Sequence, residues 1–153
     1  MKDFDYTEAI EYIKKTTPET EIFIGCDSHK KWNEKTNKTD ANYVTVIVVH
    51  NIDKGIGKGC KLFHYKDMQQ DFGSMRLRLM NEVYYSGATA MAIMDIVGDR
   101  PFSIHLDVNP SPLEGSYVVI QEAIGYVRAL GLEAVVKPDS IAANSAADRY
   151  AKK

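Results

Sequence analysis

Two acidic residues each follow an apolar run with the makings of a strand: Asp27 in IFIGCDSH (residues 22–29) and Asp107 in FSIHLDVN (residues 102–109). A carboxylate delivered where a water-excluding core meets the surface suits a metal ligand, because hard divalent cations prefer oxygen donors and retain part of their water. If the two runs are neighbouring strands, the chain builds a two-carboxylate site. Turn chemistry is the competing explanation, since Asp-Ser starts a turn readily and Asp107 stands shortly before Pro110. Occurrence of the same pattern twice favours the paired role.

The elements that must position these acids can be read along the chain. Ala9, Ile10 and Ile13 share one face of a short helix expected over residues 5–15, ending before Pro18. Strands are expected over 21–27, 43–50 and 59–65, the second (YVTVIVVH) dense in β-branched residues. The segment NIDKGIGK at 51–58 reads as a hairpin connection. A long helix over 71–97 carries Met75, Leu79, Met80, Val83, Ala90, Met91 and Met94 at helical spacing, loosened at Gly87. A strand over 102–107, a helix over about 113–130, a short strand over 133–137 and a last helix over 140–152 complete the order.

That order implies an α/β fold with a five-stranded mixed sheet: three antiparallel hairpin strands and two parallel ones, flanked by helices, with an extra helix at the N-terminal end. Right-handed crossover across the long helix lets the fourth strand lie parallel to the first, about 4.8 Å away. Asp27 and Asp107 would then be neighbours. The first and third strands would flank the second about 9.6 Å apart, too far for a disulfide between Cys26 and Cys60.

Composition narrows the function classes. With 153 residues, 44% of them hydrophobic, the chain can bury a core and is expected to form one domain over 1–153. A net charge of -2 gives no global electrostatic case for nucleic acid, so any such affinity must be local. Two cysteines without a Cys-x-x-Cys pair, and four scattered histidines, argue against structural zinc. No signal-length or membrane-length apolar run appears, which leads us to expect a cytoplasmic protein. The glycine-rich KGIGKGCK at 54–61 lacks the Lys-Ser/Thr ending of a P-loop, and no nucleophile elbow is present. An aspartyl-nucleophile phosphatase would need a second acid two residues after the first, where this chain has His29.

The order of elements together with IGCDSH (24–29), YVTVIVVH (43–50), HLDVNP (105–110) and VKPDSIAANSAADRYAKK (136–153) resembles the ribonuclease H-like fold, and within it the YkuK-like family of predicted ribonuclease H-related nucleases. The resemblance spans residues 22–153. It implies a catalytic site for Mg2+ or Mn2+, in two-ion form, made by Asp27, Glu82, Asp107 and Asp148. It departs from the family pattern at Cys26, where Thr is expected, and at His29, where Gln is common; no carboxylate is lost.

Each helical acid also has an ordinary explanation. Glu82 stands one turn after Leu79 and beside Val83, close to the buried stripe, with Asp71 and Asp95 as competitors nearer the helix ends. Asp148 lies among small residues that allow close approach to the sheet, but Arg149 and Lys152 could equally be its salt-bridge partners. Asp139 is better read as a helix cap.

Substrate contacts are expected from Ser28, His29 and Asn109, which adjoin the two acids, and from Lys30, Lys31 and Trp32 in KKWNEKTNK (30–38), whose lysines suit phosphates and whose indole suits a base. A solvated connecting loop would have the same composition. The resulting expectation is a divalent-metal-dependent hydrolase of phosphodiester bonds in RNA or an RNA-containing duplex. The alternative is a module of the same fold that binds nucleic acid or a protein partner without turnover.

Overall fold

A computed structural model describes residues 1–108 and 117–137. Three helices, α1 (Thr7–Lys14), α2 (Met75–Val97) and α3 (Tyr117–Ala129), accompany five strands: β1 (Glu21–Asn33), β2 (Lys38–Asp53), β3 (Ile56–Gln70), β4 (Phe102–His105) and β5 (Glu133–Val135). The strands form one mixed sheet in the order β3-β2-β1-β4-β5. β1 pairs antiparallel with β2 and parallel with β4, and β4 pairs parallel with β5. This is the expected α/β architecture with its N-terminal helix. The last expected helix (140–152) lies outside the described residues.

Side-chain alternation along the strands divides the core. Ile22, Ile24, Ile47, Val49, Ile104 and Leu106 join residues of the three helices in the main cluster, while Val44, Val46 and Val48, with Phe23 and Leu62, form a second one. β1 is buried on both faces through Ser28, as a central strand requires.

The hairpin strands are much longer than their apolar runs. Pairing of β1 with β2 continues without a break from Glu21↔His50 to Asn33↔Lys38, and β3 pairs with β2 as far as Asp40↔Gln70, so the strands run on together as a polar arm that is two-stranded only at residues 32–33 and 38–39. The polar KKWNEKT sequence hides this extension from pattern analysis, because an arm held by its backbone ladder needs no alternating apolar face. At the other end the connection tightens to Lys54 and Gly55, whose φ angles of 52° and 76° make a two-residue turn of the type that matches strand twist.

α2 begins at Met75, the first residue of its apolar pattern, and not at the expected residue 71. Gly73 takes a φ of 81°, and Ser74 caps the helix by accepting a hydrogen bond from the Leu77 amide at 3.1 Å. Gly87 does not loosen the helix, which runs unbroken to Val97. A Cβ added there would stand 2.9 Å from Tyr126 Cε1 and 3.1 Å from Leu130 Cδ1, so glycine is what lets α3 and the residue after it approach α2. Gly87→Val is expected to cost about 1–3 kcal/mol through overpacking, read as a lower denaturation midpoint in urea with an unchanged slope.

Candidate functional site

Asp27 is not at the end of its strand; it is in the middle of β1, paired with Val44 of β2. What ends near it is the other neighbour. The parallel register of β1 with β4 runs from Ile22↔Phe102 to Gly25↔His105 and stops, two residues before Asp27 on one strand and Asp107 on the other. Beyond that point the chain after β4 turns its bonding toward β5: the Leu106 amide donates to Val135 O at 2.8 Å and the Lys137 amide to Val108 O at 3.1 Å. The sheet therefore opens between β1 and the chain after β4, where both acids lie.

Asp27 is buried, with its side chain 12% exposed. Its Oδ1 accepts the Ser28 amide at 2.9 Å, and its Oδ2 stands 3.6 Å from His29 Nε2. Asp107 Oδ1 lies 3.1 Å from the ammonium of Lys137, just after β5. Glu82, in the second turn of α2, completes the group from a helix. Burial pushes its carboxyl well above the usual range, and the negative charges of Asp27 and then Asp107 push it further; Arg78 opposes them. Three acids from β1, α2 and the segment after β4 thus share one electrostatic neighbourhood.

Two oxygens in this neighbourhood are under-satisfied among the described residues. Ser28 Oγ favours the charged form of Glu82 but reaches no regular hydrogen-bond geometry, and buried Asp107 Oδ1 has only the ion pair with Lys137. Buried oxygens of this kind call for a cation or water, and carboxylate and hydroxyl donors match Mg2+ or Mn2+. Among the described residues no three His, Cys, Asp or Glu side chains converge closely enough to hold an ion by themselves. The donor chemistry fits a hydrated divalent ion and does not form a closed protein cage.

Of the other expected residues, Lys30, Lys31 and Trp32 lie on the β1 arm, and Lys30 Nζ is 3.9 Å from Asp71 Oδ2. Asn109 and Asp148 lie outside the described residues. Cys26 is buried beside the acids; burial first, and then the charges of Glu82 and Asp27, hold its thiol well above its ordinary value and therefore protonated. Lys137 is the residue that sequence reasoning missed. Its signal was present in VKPDS, but the partner of that lysine depends on β5 lying beside β4.

The sequence profile described as ribonuclease H-like matches residues 6–152. The chain belongs to the ribonuclease H-like family. Its relatives include the uncharacterized protein YkuK of Bacillus subtilis (strain 168), which is 33% identical over 146 residues, covering 86% of this chain and 78% of that one. No solved structure matches. Among the described residues no helix is long and apolar enough to cross a membrane.

The elevated Glu82 carboxyl makes a stability prediction with a definite sign. A carboxyl whose folded pKa is raised keeps its proton in the folded state where the unfolded chain has lost it, so stability falls as pH rises from the unfolded value, about 4.3, toward the folded one. Glu82→Gln removes that loss. In metal-free buffer the variant is expected to melt above the wild type near neutral pH, with the difference closing below about pH 4, as measured by thermal denaturation across pH.

Proposed function

We propose that the protein is a divalent-metal-dependent nuclease that hydrolyses phosphodiester bonds of RNA or an RNA-containing duplex. The observation that carries this reading is the placement of Asp27 and Asp107 two residues past the end of the β1–β4 pairing, on either side of the opening, with the buried Glu82 of α2 close enough to feel both charges. Membership of the ribonuclease H-like family supports it. Asp148, lying outside the described residues, is proposed as the fourth acid, and Asn109 as a substrate contact.

Asp27 and Asp107 would hold Mg2+ or Mn2+ across the opening between β1 and the chain after β4, with Glu82 completing the shell. Bound there, such ions activate water and stabilise the leaving oxygen of an in-line displacement. The protein's own contribution is positional. β1 fixes Asp27 through its ladder with β2, the Ser28 amide orients one carboxylate oxygen, and His29 stands against the other. Converging carboxylates without a cation would repel a phosphate, so the acids and the ion are useful only together.

The ion pair of Lys137 with Asp107 favours a second reading: a module that binds nucleic acid or a protein without turnover, its acid neutralised by an internal ammonium. The two separate in one assay. Labelled single strands, duplexes and hybrids are incubated with Mg2+ or Mn2+; at least one is expected to be cut, and Asp27→Asn and Asp107→Asn are each expected to lower the rate by at least about 100-fold, since even outer-shell changes at metal centres cost 10–100-fold. Cleavage that survives both substitutions contradicts the site; salt-sensitive binding without cleavage or specific Mn2+ uptake supports the second reading.

A further inference from the structure

We infer that the β1–β2 arm is a binding platform for an unpaired nucleic-acid strand, with Trp32 as its stacking surface, which makes single-stranded rather than fully paired nucleic acid the substrate class. The inference deepens the nuclease reading and rests on it for the identity of the neighbouring acids.

The arm is a direct extension of the strand that carries Asp27. Five residues separate Asp27 from Trp32, which at strand rise places the indole about 17 Å along the same rod. Beyond Gly25 the edge of β1 away from β2 carries no paired strand among the described residues. Alternation sets His29 and Lys31 on the face of Asp27 and Lys30 and Trp32 on the other, so a strand following this edge meets basic groups from both sides. Lys35 in the connecting turn and Lys38 at the start of β2 add two further ammonium groups at the tip. Acids temper this charge: Lys30 Nζ is 3.9 Å from Asp71 Oδ2, Lys31 is the cross-strand partner of Asp40, and Glu34 adjoins Lys35, so the lysines leave the arm a modest positive excess.

Lysines on an exposed edge have a second use, since they discourage edge-to-edge pairing of sheets. That use does not account for the aromatic residues. Trp32 is 57% exposed, near the tip of the arm and just beyond the last β2 residue paired with β3. Its cross-strand partner Thr39 accepts a hydrogen bond from the Asp71 amide at 2.8 Å, and the next residue, Phe72, is 71% exposed. Two exposed aromatic rings beside a row of ammonium groups have the composition of a single-strand site, where bases stack and phosphates pair with cations. Bases in a closed duplex are stacked on each other and offer no free face to Trp32 along the length of the arm.

Trp32 is the sole tryptophan, so fluorescence excited at wavelengths that the nine tyrosines do not absorb reports on this position alone. The full-length chain carrying Asp27→Asn, which prevents cleavage while Mg2+ is present, is titrated with a short oligouridylate and with a blunt RNA duplex of equal length, with binding followed in parallel by anisotropy of labelled RNA. The oligouridylate is expected to quench Trp32; Trp32→Ala is expected to weaken binding about 5- to 100-fold, with Trp32→Phe staying much closer to wild type. Trp32 is exposed enough for both variants to fold, which circular dichroism checks. Binding without quenching, binding unaltered in Trp32→Ala, tighter binding of the blunt duplex, or no binding of either RNA overturns the platform. Quenching in a protein that never cleaves RNA keeps the platform and removes the nuclease reading. Asp27-dependent cleavage without quenching does the reverse.

Discussion

Among the described residues strand β1 has two neighbouring strands as far as Gly25 and one beyond it, and most of what is distinctive in this molecule follows from that change. While both neighbours are present, the strand is a buried central element whose alternating side chains feed apolar clusters on the two faces of the sheet. Once β4 stops pairing, the backbone of β1 is still held by β2, so it continues straight into less covered ground. Asp27 falls at this boundary. It inherits the rigidity of a central strand and the opening left by the strand that departed.

Burial of acids there has an electrostatic cost that the protein meets in a graded way. Asp27 is oriented by the Ser28 amide and His29, and Asp107 faces an ammonium, whereas Glu82 is pushed toward its neutral form by burial and by its neighbours. A carboxyl held in that condition favours its protonated form in the fold, and its charged form is favoured only when a positive charge stands beside it. The arrangement is poised for a positive charge to enter. Lys137 supplies one such charge to Asp107, and a hydrated divalent ion would be a stronger one.

Much of this was legible in the sequence, for identifiable reasons. Apolar runs in IFIGCDSH and FSIHLDVN located two parallel strands because each is buried and unbroken, and the helix between them forces a crossover that sets those strands side by side. Glu82 was accessible through family resemblance and its position next to the buried stripe. What escaped was held by backbone or by remote contacts. The arm has no apolar alternation because a hydrogen-bonded ladder sustains it, so KKWNEKTNK reads as a loop. Gly87 looks like a helix defect until α3 is seen to need the space, and Lys137 acquires its role only when β5 docks on β4.

The central claim is that the opening between β1 and the chain after β4 holds a divalent cation. The most direct measurement is the anomalous diffraction of crystals soaked in Mn2+. The account predicts a peak within ligand distance, about 2.1–2.2 Å, of carboxylate oxygens from both Asp27 and Asp107, absent from crystals of Asp27→Asn. Manganese bound only elsewhere, or an opening filled by the Lys137 ammonium at saturating metal, would contradict it.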